Sequence, residues 1–291
     1  MPDFRSLLQS QQTMLLDGAT GTQLDKRGLM GRPDSNLVHP DAVLQIHKDY
    51  VQAGCQALIT NTLTLNRIAV ETHGEDLDVG QINRAGAELA RQAAEPSISV
   101  LGNMSSTGQL LEPYGIHTED QFLDTFREQA RILADAGVDG FIVETILDLR
   151  EGLCALQTCK EVSDLPVIVS MVFSTETKGG RTIMGNSAEE CAAKLEEGGV
   201  DAVGANCGDL DPLQMAEVVA MLQAATSLPI LAEPNAGKPK LLDGRTVFDM
   251  EPEPFAAGIA ECLQAGARLV GGCCGTSPEH IAAVRAVLDG S

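Results

Sequence analysis

One repeated sequence pattern restricts the possible folds of this chain most: a glycine, then a short apolar run, then polar residues. It occurs four times, where helix-like segments end at Gly54, Gly137, Gly199 and Gly266 and a short apolar run follows each glycine. Glycine adopts the left-handed conformation that ends many helices. A short apolar run after a brief loop is typical of a buried parallel strand. The pattern therefore predicts helices that alternate with parallel strands.

Four further apolar runs bring the number of predicted strands to eight. The predicted strands are 14–17, 57–59, 98–102, 141–143, 166–170, 202–205, 229–233 and 267–270. The segments between them have amphipathic character, and the clearest is a predicted helix over 118–136. Eight strand–helix units in 291 residues fit an α/β fold with a single (β/α)8 TIM barrel as one domain over 1–291. A doubly wound sheet is the alternative, but the sequence lacks a dinucleotide-binding glycine fingerprint.

The composition excludes several classes of partner. Lys and Arg number 20 and Asp and Glu number 41, which gives a formal net charge of −21. Nucleic acids and anionic lipid surfaces repel such a chain, so we expect it to bind no nucleic acid and no membrane. The sequence shows no apolar run of transmembrane length and no signal peptide. We therefore expect a cytoplasmic protein whose eight cysteines stay reduced.

Polar side chains follow the predicted strands. In a (β/α)8 barrel the carboxyl ends of the strands carry the active site. Here those ends carry Asp17, Asn61, Thr62, Glu144, Asn206, Cys207, Glu233, Asn235, Cys273 and Cys274. We therefore expect these side chains to meet on one rim of the barrel.

Three of the cysteines suit a metal ion. Cys273 and Cys274 lie in a Gly-Gly-Cys-Cys-Gly turn at 271–275, and Cys207 follows another strand. Three converging thiolates with an open fourth position are typical of catalytic Zn²⁺ sites. A vicinal disulfide, a redox pair and buried thiols that act as small apolar groups are the alternatives. The other five cysteines lie in apolar or helical settings, and we interpret them as structural.

Four motifs resemble one known family. They are the Leu-Asp-Gly-Ala-Thr-Gly-Thr-Gln-Leu sequence at 16–24, Asn206-Cys207, Pro-Asn-Ala-Gly at 234–237 and Gly-Gly-Cys-Cys-Gly-Thr at 271–276. The chain resembles the homocysteine S-methyltransferase family over nearly its whole length. The similarity is greatest to the homocysteine-binding module of cobalamin-dependent methionine synthases.

The resemblance implies a (β/α)8 barrel and a zinc-dependent methyltransferase. Cys207, Cys273 and Cys274 would hold catalytic zinc, and Asn235 would fill the fourth zinc position when substrate is absent. Homocysteine would bind as a zinc-bound thiolate, accept a methyl group and become methionine. Substrate-binding residues would be Asp17 and Glu144, which would hold the ammonium group, together with Thr20, Asn61 and Asn206. From the residues alone, Asp17 could instead cap a turn, and Glu144 could be a surface or barrel-lining charge.

The identity of the methyl donor stays open at this level. The methionine synthase resemblance implies methylcobalamin or another methylcorrinoid, carried on a separate protein or free, because the sequence lacks a cobalamin-binding signature. S-methylmethionine or S-adenosylmethionine is the alternative donor. Thr145 stands where the betaine-dependent branch has Tyr, which counts against betaine. The loop at 102–108 keeps Thr-Gly but lacks the proline that the methionine synthase branch usually has. A zinc or thiol redox-sensing barrel without catalysis is a third interpretation.

Overall fold

A computed structural model gives the fold. It describes residues 3–290 except 11, 30, 32, 33, 75, 175–179, 243 and 244, and omits the side chain of residue 245. The strands are β1 (Met14–Leu15), β2 (Ala57–Ile59), β3 (Ser99–Ser105), β4 (Gly140–Ile146), β5 (Val167–Met171), β6 (Ala202–Asn206), β7 (Ile230–Glu233), β8 (Lys240–Leu242), β9 (Arg245–Val247) and β10 (Ala267–Val270). The helices are α1 (Phe4–Gln9), α2 (Gly21–Lys26), α3 (Ser35–Val38), α4 (Pro40–Gln52), α5 (Arg67–Thr72), α6 (Val79–Ala93), α7 (Glu119–Asp135), α8 (Leu149–Val162), α9 (Ala188–Glu197), α10 (Pro212–Ala225), α11 (Pro252–Gln264) and α12 (Pro278–Asp289).

Eight of the strands form one parallel sheet that closes into a barrel. Their order is β1-β10-β7-β6-β5-β4-β3-β2. A parallel bridge between Leu16 and Ala57 brings the two ends of the sheet together, and Asp17 N–H donates to the Ala57 carbonyl at 3.1 Å. The (β/α)8 prediction is therefore confirmed. The short antiparallel hairpin β8–β9 follows β7, and sequence patterning did not predict it.

The four glycines of the repeated pattern end helices as predicted. Gly54, Gly137, Gly199 and Gly266 have φ values of +93°, +81°, +79° and +114°. Each directly follows the C-cap residue of α4, α7, α9 or α11. Left-handed backbone of this kind suits glycine because it has no Cβ. The predicted helix over 118–136 is confirmed as α7, with Thr118 as the N-cap in a capping box with Gln121.

The barrel interior is layered. Its lower layer is an apolar cluster made of Leu16, Ala57, Leu101, Ile142, Ile168, Ala202, Leu231 and Leu269, joined by Met14 and by Phe4 and Leu8 of α1. Because side chains alternate along a strand, residues two positions further on point into the same interior. Those positions carry polar side chains at the carboxyl ends of four strands: Asn103, Glu144, Ser170 and Glu233. An apolar floor therefore supports a polar site.

None of the helices within the described residues is long and apolar enough to cross a membrane.

Candidate metal and thiol site

Backbone hydrogen bonds bring the three predicted cysteines together. Cys207 directly follows β6, and Cys273 and Cys274 follow β10. Cys273 N–H donates to the Pro234 carbonyl, and Ala236 N–H donates to the Cys274 carbonyl, both at 2.9 Å. These bonds fix the cysteine turn against the segment after β7, which lies between β6 and β10 in the sheet.

The cysteine turn depends on its glycine. Gly275 has a φ of +84°, and a Cβ at this position would lie 2.3 Å from Phe248 Cβ. Both the backbone conformation and the packing therefore exclude a larger residue. In this turn the sulfurs of the adjacent Cys273 and Cys274 both lie within 4.8 Å of the Cys207 sulfur.

The three sulfurs form a group that could hold a metal ion. All lie within 4.8 Å of one another, and Cys207 Sγ is 4.0 Å from Cys274 Sγ. Within the described part of the chain, no other group of histidine, cysteine or acidic side chains has this spacing. The remaining five cysteines are buried as free thiols, in agreement with their predicted structural role.

The pKa values of the three thiols are shifted in opposite directions. Hydrogen bonds with Cys273 and Cys274 lower the pKa of Cys207 to about 3. The hydrogen bond with Cys207 raises the pKa of Cys274 to about 12, and the same partner raises the pKa of Cys273. Gly208 N–H and the Asn235 amide also donate to the Cys207 sulfur. The group thus stabilises a negatively charged sulfur and attracts a cation.

Asn206 links the thiol group to its neighbours. Its Oδ1 accepts from Thr145 N–H at 2.9 Å and from Ser170 Oγ at 2.8 Å. Its Nδ2 donates to Glu144 Oε2 at 3.0 Å and to Thr145 Oγ1 at 2.8 Å, and lies 3.8 Å from Cys273 Sγ. Thr145 has a φ of +57°, an unfavourable conformation for a β-branched residue. Asn206 therefore holds a strained strand end and orients Glu144.

We expect Asn206→Ala to lower the free energy of unfolding by about 2–4 kcal/mol, because it leaves buried polar groups without partners. Urea denaturation measures this loss. The matched control is Asn186→Ala, since the Asn186 amide makes an exposed hydrogen bond to Glu190. Equal stability losses in the two variants would contradict the role assigned to Asn206.

A cavity of about 310 Å³ lies beside the sulfurs. Five predicted site residues line it: Thr20, Asn61, Glu144, Cys273 and Cys274. The predicted residues Asp17, Asn206, Cys207 and Asn235 are not among its lining residues. They are buried or half-buried beside it. Two of the three grouped cysteines and one predicted acidic residue therefore face a space large enough for a small molecule.

Three buried carboxylates surround this space. Burial raises the pKa of Asp17, of Glu144 and of Glu233. Repulsion adds to the effect, from Glu144 at Asp17, from the Cys207 thiolate at Glu144, and from Glu144 and Asp17 at Glu233. Such a concentration of buried negative charge is costly unless a cation compensates it. A ligand with a positive group would compensate this charge.

The Asp17 turn is held on both sides. Asp17 Oδ2 accepts from Ile59 N–H at 3.0 Å. Tyr50 O–H donates to the Ala19 carbonyl at 2.9 Å, and Ala19 N–H donates to Thr276 Oγ1 at 3.1 Å. The turn after β1 is thereby fastened to the residues that follow the cysteine pair. Asp17 combines a structural hydrogen bond with a place beside the other carboxylates.

A sequence model of the homocysteine S-methyltransferase family matches residues 14–288. The chain belongs to the homocysteine S-methyltransferase family. This confirms the predicted family. The match includes every residue of the site described above.

Several members of the family are similar to this chain. Methionine synthase of Mycobacterium leprae is 31% identical over 96% of the chain and 24% of its own length. Betaine–homocysteine S-methyltransferase 1 of Danio rerio is 30% identical over 95% of the chain and 73% of its own length. The oxidized form of the homocysteine methyltransferase MmuM from Escherichia coli superposes with a TM-score of 0.81 at 25% identity, covering 99% of this chain and 100% of that one. The chain spans about a quarter of the length of the methionine synthases that it matches.

Sequence patterns missed the cavity residue Asn103 and predicted only a place on the rim for Glu233. Asn103 donates to Glu144 Oε1 at 2.7 Å, and both Asn103 and Glu233 line the cavity. The predicted third strand ended at Gly102, whereas β3 continues to Ser105 and so turns Asn103 into the barrel. Glu233 was placed on the rim by its strand, but no motif distinguished it from a lining charge.

The altered loop at 102–108 is anchored from the outside. Glu151 of α8 accepts from Ser106 Oγ at 2.7 Å, from Thr107 N–H at 2.7 Å and from Thr107 Oγ1 at 2.8 Å. This loop lacks the proline expected from the methionine synthase branch, and the buried Glu151 carboxylate holds it in place.

Proposed function

We propose that this chain binds homocysteine through its sulfur and transfers a methyl group to it, giving methionine. One observation carries the proposal. Three cysteine sulfurs within 4.8 Å of one another adjoin a cavity that Glu144 and Glu233 line. A thiol that also bears an ammonium group matches both halves of this site. Relatives named for methionine synthesis and for homocysteine methylation support the same substrate.

The sulfur group fits a zinc ion. A Zn–S distance of about 2.3 Å in a tetrahedral site puts the sulfurs about 3.8 Å apart, close to the 4.0 Å between Cys207 and Cys274. Asn235 Oδ1 is buried without a hydrogen-bond partner among the described residues, which suits a fourth ligand in the absence of substrate. When bound, Zn²⁺ lowers the pKa of a thiol ligand and keeps it nucleophilic at neutral pH without redox chemistry.

The residues of the chain have separate tasks at this site. Glu144 faces the cavity and attracts the substrate's ammonium group. Asn103 and Asn206 hold the Glu144 carboxylate in place. Gly208 N–H and the Asn235 amide donate to the Cys207 sulfur. Hydrogen bonds of this kind offset the negative charge that several thiolates bring to one place. Because the cysteine sulfurs and the Glu144 carboxylate are held at fixed positions, they orient an amino acid that carries a thiol.

A methylcorrinoid, free or carried on a separate protein, is the proposed donor. Exposed large apolar side chains are concentrated between the barrel strands and the long helices that follow them, or at the start of such a helix, at the same end of the barrel as the cysteines. The most exposed of these are Tyr114, Ile116, Ile183, Leu213 and Leu241. Apolar surface on this face suits a large corrinoid ring or the protein that carries it.

A cationic sulfonium compound is the second candidate donor. The acidic cavity and the net charge of −21 attract cations, which favours S-methylmethionine or S-adenosylmethionine. Identities of 31% to a methionine synthase and 30% to a betaine-dependent enzyme differ too little to choose between donors.

Methyl transfer is tested with zinc-loaded, reduced protein and homocysteine. Methylcobalamin, S-methylmethionine and S-adenosylmethionine are supplied in separate reactions, and methionine is measured by mass spectrometry. We expect methionine with methylcobalamin. Turnover with a sulfonium donor alone would reverse the choice of donor. No methionine with any of the three, together with no binding of homocysteine, would overturn the proposed function.

A further inference from the structure

Glu233 is a cavity residue whose carboxylate oxygens both lack hydrogen-bond partners among the described residues. It ends β7, points into the barrel interior and is 2% exposed. Its carboxylate lines the cavity. Neither of its oxygens has a hydrogen-bond partner among the residues that the structure describes. A buried carboxylate in this condition is destabilising unless something absent from the chain itself satisfies it.

The other two carboxylates differ in this respect. Both oxygens of Glu144 already accept hydrogen bonds, from Asn103 and from Asn206. Asp17 uses one oxygen for Ile59 N–H and is not among the cavity-lining residues. Asp25 also lines the cavity, but it is exposed and accepts from Gly31 N–H at 2.8 Å. Among the described residues, Glu233 is therefore the buried lining carboxylate with its full capacity to accept hydrogen bonds from a ligand.

The backbone leaves room for this carboxylate. A Cβ at Gly271 would lie 2.9 Å from Glu233 Oε1 and 3.0 Å from the Asp17 carbonyl oxygen. The first glycine of the cysteine turn thus lets the Glu233 side chain lie against β10, between the Asp17 turn and the cysteine pair.

The charges determine the kind of ligand. Among the described residues the cysteines, and not the carboxylates, have the spacing to hold a metal ion. Glu233 therefore needs a cation with N–H donors rather than a bare ion. A primary ammonium group has three such donors, and Glu144 with both oxygens partly engaged cannot satisfy all of them.

We propose that Glu233 is a second direct ligand of the substrate's ammonium group and makes the site select amino-acid thiols over thiols that lack the amino group. This inference rests on the proposed function, since it takes homocysteine as the substrate. Glu144 on β4 and Glu233 on β7, which β5 and β6 separate in the sheet, then bind the ammonium from two sides, while the sulfur lies at the cysteine group.

Calorimetric titration of zinc-loaded protein with two thiols tests this assignment. The thiols are homocysteine and 4-sulfanylbutanoate, which has the same chain without the amino group. Glu233→Gln should weaken homocysteine binding about 30-fold or more, as expected when a buried charge pair loses one partner, and should change 4-sulfanylbutanoate binding less than about threefold. Glu233→Asp keeps the charge and should give an intermediate, homocysteine-specific loss. It also carries the test if the glutamine variant fails to fold.

The matched control is Glu217→Gln, which changes the net charge equally at an exposed position of α10. It should leave the affinity for both thiols unchanged. Zinc content, measured for every variant, should stay at the wild-type value. Equal effects of Glu233→Gln on the two thiols, or none on either, would overturn the assignment. Wild-type protein that binds neither thiol would instead overturn the proposed function.

Discussion

Cys207→Ala is expected to abolish zinc binding and methyl transfer together. The substitution removes one of three sulfurs that lie within 4.8 Å of one another, and it is the sulfur on which the other two thiols converge. We expect zinc to fall from about one equivalent per chain to near zero, and turnover to fall at least about 1,000-fold, because a site with two cysteine ligands loses most of its metal affinity. Elemental analysis and methionine formation measure the two effects.

The control for this substitution is Cys191→Ala. Cys191 is fully buried in α9, so the same chemical change tests packing without touching the sulfur group. This variant should retain zinc and activity even if it is somewhat less stable. A Cys207→Ala protein that keeps a full equivalent of zinc would show that the metal lies elsewhere.

Glu144→Gln is expected to separate substrate binding from metal binding. The carboxylate is buried, lines the cavity and is held by Asn103 and Asn206. Neutralising it should weaken homocysteine binding about 100-fold or more, since breaking a buried ion pair costs about 3–5 kcal/mol. Zinc content should stay at the wild-type level, because the group of side chains that could hold the metal consists of the three cysteines and does not include Glu144.

Calorimetric titration of homocysteine gives the affinity for this comparison, with Glu217→Gln as the control for net charge. Homocysteine affinity that is unchanged in Glu144→Gln would remove Glu144 from the substrate site. If Glu144→Gln lost zinc binding and homocysteine binding together, Glu144 would instead be needed to hold the three cysteines in place.

The barrel itself was predictable from sequence because its determinants are local. Glycines at helix ends and short apolar runs fix the order of helices and strands, and polar residues at strand ends then have to share one rim. The convergence of Cys207 with Cys273 and Cys274 follows from that placement. For the same reason, Glu144 was recognised directly after its apolar strand.

What the sequence could not show depends on side-chain contacts between distant segments. Asn103 belongs to the site because β3 runs three residues beyond its predicted end. Asp17, which the resemblance assigns to the substrate's ammonium, uses Oδ2 for Ile59 N–H, while its buried Oδ1 has no partner among the described residues. The unpartnered oxygens of Glu233 become apparent only when every neighbouring donor has been located.

The central claim is that homocysteine binds to the cysteine-held zinc as a thiolate. The most direct test is calorimetric titration of zinc-loaded protein with homocysteine at pH 7, in two buffers that differ in ionisation enthalpy. A free thiol has a pKa near 8.5 and is mostly protonated at this pH, whereas the bound sulfur would be ionised. We expect about one proton to be released per homocysteine bound, so that the measured heats differ by about the difference between the ionisation enthalpies of the two buffers. Tight binding with the same heat in both buffers would contradict it.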